Sequence, residues 1–376
     1  MGKKIKVTFV VTNCKKTGPI NQTLNIIRNL DKGVFEASLI TMFPEEENNT
    51  MFDGYRKTNI KIYQAGMNKV KSILYGKVVV GNILKKIKPD IVQGVGIPPY
   101  RMTLGYKDCV HFVTLRNYCY EDYPDQYGKK IGPVLADMDM KLIRKQMSKG
   151  EPVVTCSNSL TDMYKKKQQL DIGFICNGVD VSKYSKRDLS KRAALRKALA
   201  LPDDKIIFVY SGRLIDRKNQ QEAIESVLHS ARSSEIVLVL LGDGINRQSL
   251  VDNYRKHANV LIRGEVSNVI DYLHASDVYL SSSKSEGLPN GVLEAMAAGL
   301  PVLLSDIPQH MELFSVNMRI GRYYKLGDVG ALASEIDSML DDDLSSMSAD
   351  SYKAVMNNFT AEIMSKKYQN LYKHFL

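Results

Sequence analysis

Four side chains, two acidic and two basic, carry the chemistry most readable in this 376-residue chain. Glu286 and Glu294 are separated by seven residues, beginning Gly287, Leu288, Pro289, Asn290 and Gly291 and running on through a helix-forming stretch toward Gly299. Proline is tolerated in the first turn of a helix and glycine suits its end, so residues 281–309 read as strand, loop, helix, turn, strand. A loop that meets a helix N-terminus faces backbone N–H groups with no intrahelical partner and the positive end of the macrodipole. Together these form a seat for an anion such as phosphate.

Two carboxylates beside such a seat would repel the phosphate unless they accept hydrogen bonds from hydroxyl groups. A loop acid and an acid one turn into the helix reach opposite ends of an elongated ligand. A molecule with a polyol at each end of a diphosphate, a nucleotide sugar, satisfies both. Taken alone, Glu294 is a surface helix acid and Glu286 a loop acid. What separates them from that plain reading is the Gly-Leu-Pro-Asn-Gly context and a second segment that supplies cations. That segment, Ser211-Gly212-Arg213-Leu214-Ile215-Asp216-Arg217-Lys218-Asn219, follows an apolar run at 206–210. Arg213 can grip phosphate oxygens bidentately, and Lys218, opening the next helix, adds a point charge.

These residues need a scaffold that brings distant loops together. Apolar runs at 206–210, 236–241, 260–262, 277–280 and 301–304 alternate with helical stretches, the pattern of a parallel sheet covered on both faces. Ligands bind at the carboxyl ends of such strands. Gly242-Asp243-Gly244 and Arg263-Gly264-Glu265 follow the second and third runs. The former lacks the third glycine of a dinucleotide fingerprint, Arg247 standing there, so it is a weak signal for a redox cofactor. Toward the N-terminus, the strand at 5–11, the turn glycine Gly18 and the helix at 20–30 open a second α/β unit, with further strands at 37–41, 91–94, 110–114 and 153–157. The length exceeds what one core usually organises. The expected division is a first domain at 1–185, a charged helical linker at 186–202, a second domain at 203–358 and a C-terminal helix at 359–376.

On these segments the chain resembles the retaining glycosyltransferases of family 4, whose E-x7-E signature the Glu286–Glu294 stretch matches. Ser211-Gly212-Arg213-Leu214 with Lys218-Asn219, and Asn177-Gly178-Val179-Asp180 followed by Tyr184, match further segments in order across nearly the whole chain. The resemblance implies an α/β GT-B fold, two Rossmann-like domains with parallel sheets facing across a cleft. It implies Arg213, Lys218 and Glu286 at the reaction centre, with Glu286 on sugar hydroxyls and Glu294 on the ribose diol. Gly18, Gly212, Gly242, Gly264, Gly287, Leu288, Asn290 and Gly291 would line the donor site, and the last helix would cross back to the first domain. The donor expected is a nucleotide sugar, UDP-sugar first, with no cofactor and no metal, and the acceptor a saccharide or lipid-linked saccharide of bacterial surface polysaccharide synthesis. Where many members carry a histidine, this chain has Arg116. It either replaces that group, contacts an acidic acceptor, or anchors the segment 118–127.

Charge is divided unevenly. Residues 1–185 hold 29 Lys+Arg against 17 Asp+Glu, a net +12 within a total of +11. That favours an anionic partner, and since no nucleic-acid module is readable, the candidates are an acidic saccharide or an anionic membrane surface. Residues 69–88 place Val70, Ile73, Leu74, Val80, Ile83, Leu84 and Ile87 among lysines, which reads either as a membrane-surface helix or as an ordinary crossover helix with lysines in water. The five cysteines show no metal spacing and read as reduced thiols of a cytoplasmic, at most peripheral, protein. Asp137 and Asp139 form a D-x-D pair, discounted because it lies inside a helical pattern. Two rival functions remain: a sugar-nucleotide epimerase, which would need an acid/base pair not evident in the first domain, and a catalytically silent membrane-associated partner, which would have lost the cations or the glutamates.

Overall fold

A computed structural model describes residues 3–376. The chain forms two compact units, one running to Gly178 and joined by Ala361–Leu376, the other spanning Val179–Thr360.

The first unit contains β1 (Ile5–Val11), α1 (Gly18–Arg28), β2 (Phe35–Thr41), α2 (Phe52–Arg56), β3 (Lys61–Gln64), α3 (Lys69–Ile87), β4 (Ile91–Val95), α4 (Ile97–Thr103), β5 (Val110–Leu115), α5 (Cys119–Tyr127), α6 (Ile131–Met147), β6 (Val153–Thr155), α7 (Asn158–Gln168) and β7 (Gly173–Phe174). Its seven strands, all parallel, are ordered β3-β2-β1-β4-β5-β6-β7. Alternation along the strands divides the core. Val7, Phe9 and Val11 pack with Leu24 and Ile27 of α1, whereas Val10 joins Ile40 and Val92 against Val80 and Leu84 of α3. Helices on both faces explain why β1 is apolar almost throughout rather than alternating.

The second unit contains α8 (Arg192–Ala198), β8 (Ile206–Ser211), α9 (Gln220–His229), β9 (Ile236–Leu241), α10 (Arg247–Tyr254), β10 (Val260–Gly264), α11 (Val269–Ala275), β11 (Val278–Ser281), α12 (Asn290–Ala297), β12 (Val302–Ser305), α13 (Pro308–Val316), β13 (Gly321–Tyr324), α14 (Val329–Asp341) and α15 (Leu344–Asn358). Its six parallel strands run β10-β9-β8-β11-β12-β13. Strand order reverses beside β1 in the first sheet and beside β8 in the second, and ligands collect outside the carboxyl ends at such points. Among the described residues no helix is long and apolar enough to cross a membrane.

Two sequence readings need correction. Residues 186–202 are not a free linker. They belong to the second unit, and Arg196 is 1% exposed. Its guanidinium donates to the carbonyls of Ala275, Pro202, Asp203 and Lys205 and to Asp277 Oδ2 at 2.6 Å. The C-terminal helix expected at 359–376 is present, set off from α15. The break at Phe359-Thr360 lets the Phe359 carbonyl accept from Val179 N at 2.8 Å, and α16 (Ala361–His374) then belongs to the first unit. There Tyr368 hydroxyl meets Thr114 Oγ1 at 2.9 Å, and the rings of Tyr368 and Tyr372 pack on Phe112. Finally, Pro289 is the N-cap of α12 and not part of its first turn, while Gly299 lies just past the helix end at φ +79°.

Arg196 makes five hydrogen bonds through its three guanidinium nitrogens, so Arg196→Ala strands several acceptors. It is expected to lower the unfolding free energy by on the order of 3 kcal/mol, read by urea denaturation. A change within 0.5 kcal/mol or so, the size of an ordinary surface substitution, would show that this arginine does not hold the segment in place.

Candidate active site

The site of the second unit begins with three glycine corners at the carboxyl ends of neighbouring strands. Gly212 N donates to Leu241 O at 2.9 Å, and Gly242 N donates to Gly264 O at 2.7 Å. A Cβ on Gly242 would sit 1.9 Å from Gly212 O, so this corner closes only with glycine. Gly291, in the first turn of α12, is equally constrained: a Cβ there would lie 2.5 Å from Tyr279 Oη and 3.1 Å from Ser211 O. The first turn of the helix is thus pressed onto the end of β8. The N-cap residue, Pro289, makes no side-chain capping bond, and the helix dipole places partial positive charge at this end.

Onto this floor the chain places its charges. Lys218 ends the turn Asp216–Lys218, with its carbonyl accepting from Tyr210 Oη at 2.5 Å. Its Nζ donates to Glu286 Oε1, which also accepts from Ser283 Oγ at 2.8 Å. Glu286 is buried. Burial by itself would raise its carboxyl, but Lys218 and Arg217 outweigh that and hold it down at about 2, so it is ionised at neutral pH. Behind it lies His310, fully buried, with Nδ1 3.0 Å from both the carbonyl and the hydroxyl oxygen of Ser305. Burial pushes this imidazole down to about 4, leaving it neutral, and its Nε2 has no partner among the described residues. Arg213 is exposed, its side chain in no ion pair or hydrogen bond among the described residues, while its carbonyl accepts from Gln220 Nε2 at 2.9 Å.

Glu294 has a different environment. Burial drives its carboxyl up to about 7, partly opposed by Lys183 and by a hydrogen bond from the buried Tyr184. The two glutamates of one motif therefore hold different charge at neutral pH, one fully ionised and one poised.

The structure brings Gly212, Arg213, Lys218, Gly242, Gly264, Glu286, Gly287, Leu288, Asn290, Gly291 and Glu294 to one edge of the second sheet. Gly18 and Arg116 lie in the first unit. Gly18 opens α1, whose Gln22 and Asn25 bond the Gly178 backbone at 3.0 and 3.2 Å, and Arg116 Nη1 donates to Asn177 Oδ1 at 2.6 Å. Arg116 and, through Gln22 and Asn25, helix α1 therefore meet at the Asn177-Gly178 turn, while Gly18 itself stands at the start of that helix. The suggestion that Arg116 anchors 118–127 fails, because its guanidinium is turned to Asn177 and its Nε has no partner among the described residues. Asp139 is buried against Arg101 and Tyr123, and Asp137 accepts from Tyr120 Oη at 2.6 Å, so both D-x-D acids serve α6 packing. Sequence reasoning missed the roles of Lys183, Ser283 and His310. Only Ser283 was hinted at, by the hydroxyl run before Glu286, since nothing local to the other two points toward the glutamates.

Two doubly wound parallel sheets, the second carrying cations and carboxylates at its carboxyl edge, make up the GT-B fold. HepE of Anabaena, solved in complex with UDP-glucose, superposes with a TM-score of 0.79 at 15% identity, covering 98% of this chain and 100% of that one. Residues 191–356 match the family model described as glycosyl transferases group 1. The O-antigen biosynthesis glycosyltransferase WclY of Escherichia coli is 25% identical across 98% of both chains. The UDP-Gal:alpha-D-GlcNAc-diphosphoundecaprenol alpha-1,3-galactosyltransferase of Escherichia coli is 29% identical over 54% of each.

A hydroxyl pair donating to Glu294 binds its ionised form. The affinity for UDP-glucose, whose phosphates do not titrate near neutrality, should rise with pH up to about 7, level off above it, and fall about tenfold per unit below it. Calorimetric titration between pH 5.5 and 8.5 checks this. Glu294→Gln should bind weakly and without that slope, and an unchanged slope in the variant would assign it to another group.

Proposed function

We propose that this chain transfers a hexose from a UDP-sugar to a saccharide or lipid-linked saccharide, with retention at the anomeric carbon and without a metal, in the synthesis of a bacterial surface polysaccharide. The observation that carries the reading is the Lys218–Glu286 pair beside the N-terminus of α12, with Glu294 one turn further on. An ammonium has three donors. One holds Glu286 and the others are directed to a diphosphate seated on the helix N-terminus. Glu286, ionised, accepts from sugar hydroxyls, and Glu294 accepts from the ribose diol.

In the reaction, the acceptor hydroxyl oxygen bonds to the anomeric carbon on the face that the diphosphate leaves. The carbon–oxygen bond to the diphosphate breaks with its electron pair on the nucleotide, and the acceptor proton passes to a donor phosphate oxygen. Negative charge grows on the leaving group. Arg213, Lys218 and the α12 N-terminus stabilise that charge more than they stabilise bound donor. The relatives support donor and acceptor class: one is described by its UDP-Gal donor and diphosphoundecaprenol-linked acceptor, another by O-antigen synthesis. A cytoplasmic location belongs to the same proposal, since a nucleotide-sugar donor is supplied there.

Arg213 is exposed, so Arg213→Ala leaves packing intact and tests the chemistry directly. It should lower kcat by about 100- to 1000-fold with an unchanged melting temperature. Lys218→Ala should match it in kcat but also lose stability, because Glu286 remains buried without its counterion. Undiminished turnover of Arg213→Ala overturns the assignment. Saturation-transfer NMR with UDP-glucose, UDP-galactose, UDP-GlcNAc and GDP-mannose identifies the donor. Product from an α-linked donor should be α-linked by proton NMR, and activity should persist in EDTA.

A further inference from the structure

Helix α3 is built inside out over its first half. Its inward positions there are the small Ser72 and Gly76, both buried, while Val70, Ile73, Leu74, Tyr75 and Val78 are 58–80% exposed. The small residues have a packing reason. A Cβ on Gly76 would lie 2.5 Å from Met102 Sδ of α4, and a Cβ on Gly105 would lie 2.2 Å from the Lys77 carbonyl, so the two backbones are in close approach. The outward residues have none. Val70, Ile73, Leu74 and Val78 share one stripe at helical spacing, and it faces water. The second half of the same helix behaves as a crossover helix should, with Val80 and Leu84 in the core.

A second exposed group lies on α6, where Ile131, Val134 and Met138 are 59%, 58% and 51% exposed. Both helices flank α4, since Met102 touches α3 and Arg101 pairs with Asp139 of α6. Both helices therefore border the same element of the first unit. Charge is distributed to match. Helix α3 carries exposed Lys69, Lys71, Lys77, Lys85 and Lys86 and no acid, and Lys129 and Lys130 precede α6, although exposed Asp125 and Asp137 dilute the charge on that side.

From this we infer that the first half of α3, supported by the start of α6, is a docking surface for an anionic lipid bilayer, with the apolar stripe entering the headgroup region and the lysines meeting lipid phosphates. A second copy of the chain is the poorer occupant, because a two-fold contact would set the same lysines against one another, whereas a bilayer receives apolar side chains and cations together. The inference goes beyond the donor assignment and does not depend on it.

The test is co-sedimentation of the full chain with vesicles of phosphatidylglycerol and phosphatidylcholine, against phosphatidylcholine alone, at low and high salt. Wild type should sediment with the anionic vesicles only. Lys69→Gln/Lys71→Gln/Lys77→Gln should weaken binding about fivefold for each lysine removed, on the order of a hundredfold together. Ile73→Ser/Leu74→Ser should weaken it about tenfold or more at both salt concentrations. UDP-glucose affinity, measured on the same samples, should not change, and a chain that fails to bind UDP-glucose while sedimenting normally counts against the donor assignment alone. Wild type staying in the supernatant with anionic vesicles at low salt, an Ile73→Ser/Leu74→Ser variant that sediments like wild type, or light scattering that shows a dimer converted to monomer by that variant would each overturn the docking surface.

Discussion

The active edge of the second unit depends on one buried ion pair, Lys218 with Glu286. Burying a carboxylate is expensive unless a counterion and hydrogen bonds replace its water. Here Lys218, Ser283 and the nearby charge of Arg217 do so, which is why Glu286 stays ionised where burial would otherwise neutralise it. The pair also ties the loop after β8 to the loop before α12. Two segments 68 residues apart in sequence are thereby held together.

The glycine corners set the other condition. Cations can converge on a phosphate only if the backbones beneath them come close, and Gly242 against Gly212 leaves no room for even one carbon. The same economy recurs in the first unit with a different result. Gly76 and Gly105 let α3 approach α4, and the large apolar residues of α3, having no neighbour to pack on, turn outward. Close backbone approach thus builds a polar site in one unit and leaves an apolar face in the other.

Much was legible in the residues themselves. The alternation of apolar runs with helical stretches, and the placing of Arg213, Lys218, Glu286 and Glu294 at strand ends, follow from local patterns, because strand periodicity, proline and glycine positions and charge type are properties of neighbouring residues. The edge strands β3, β7 and β13 were missed because an edge strand is only partly buried and Lys61–Gln64, Gly173–Phe174 and Gly321–Tyr324 carry no continuous apolar signal. Residues 186–202 looked like a solvated linker because charge usually means water. No local rule says that Arg196 will find Asp277 and four carbonyls.

Sequence by itself determined the class of this protein: two α/β units, the E-x7-E motif and its partner cations, and the excess of positive charge in the first half. Tertiary structure alone decided the charge state of each motif residue. Glu286 and Glu294 are the same amino acid in the same motif, yet one is held at about 2 by Lys218 and Arg217 while the other is raised to about 7 by burial beside Tyr184. Desolvation and the field of distant residues set those values, and both arise only once the chain has folded. Orientation was decided in the same way. The pattern of α3 fits a helix packed on a sheet or one laid on a membrane, and only its approach to α4 through Ser72 and Gly76 shows which residues of its first half face outward.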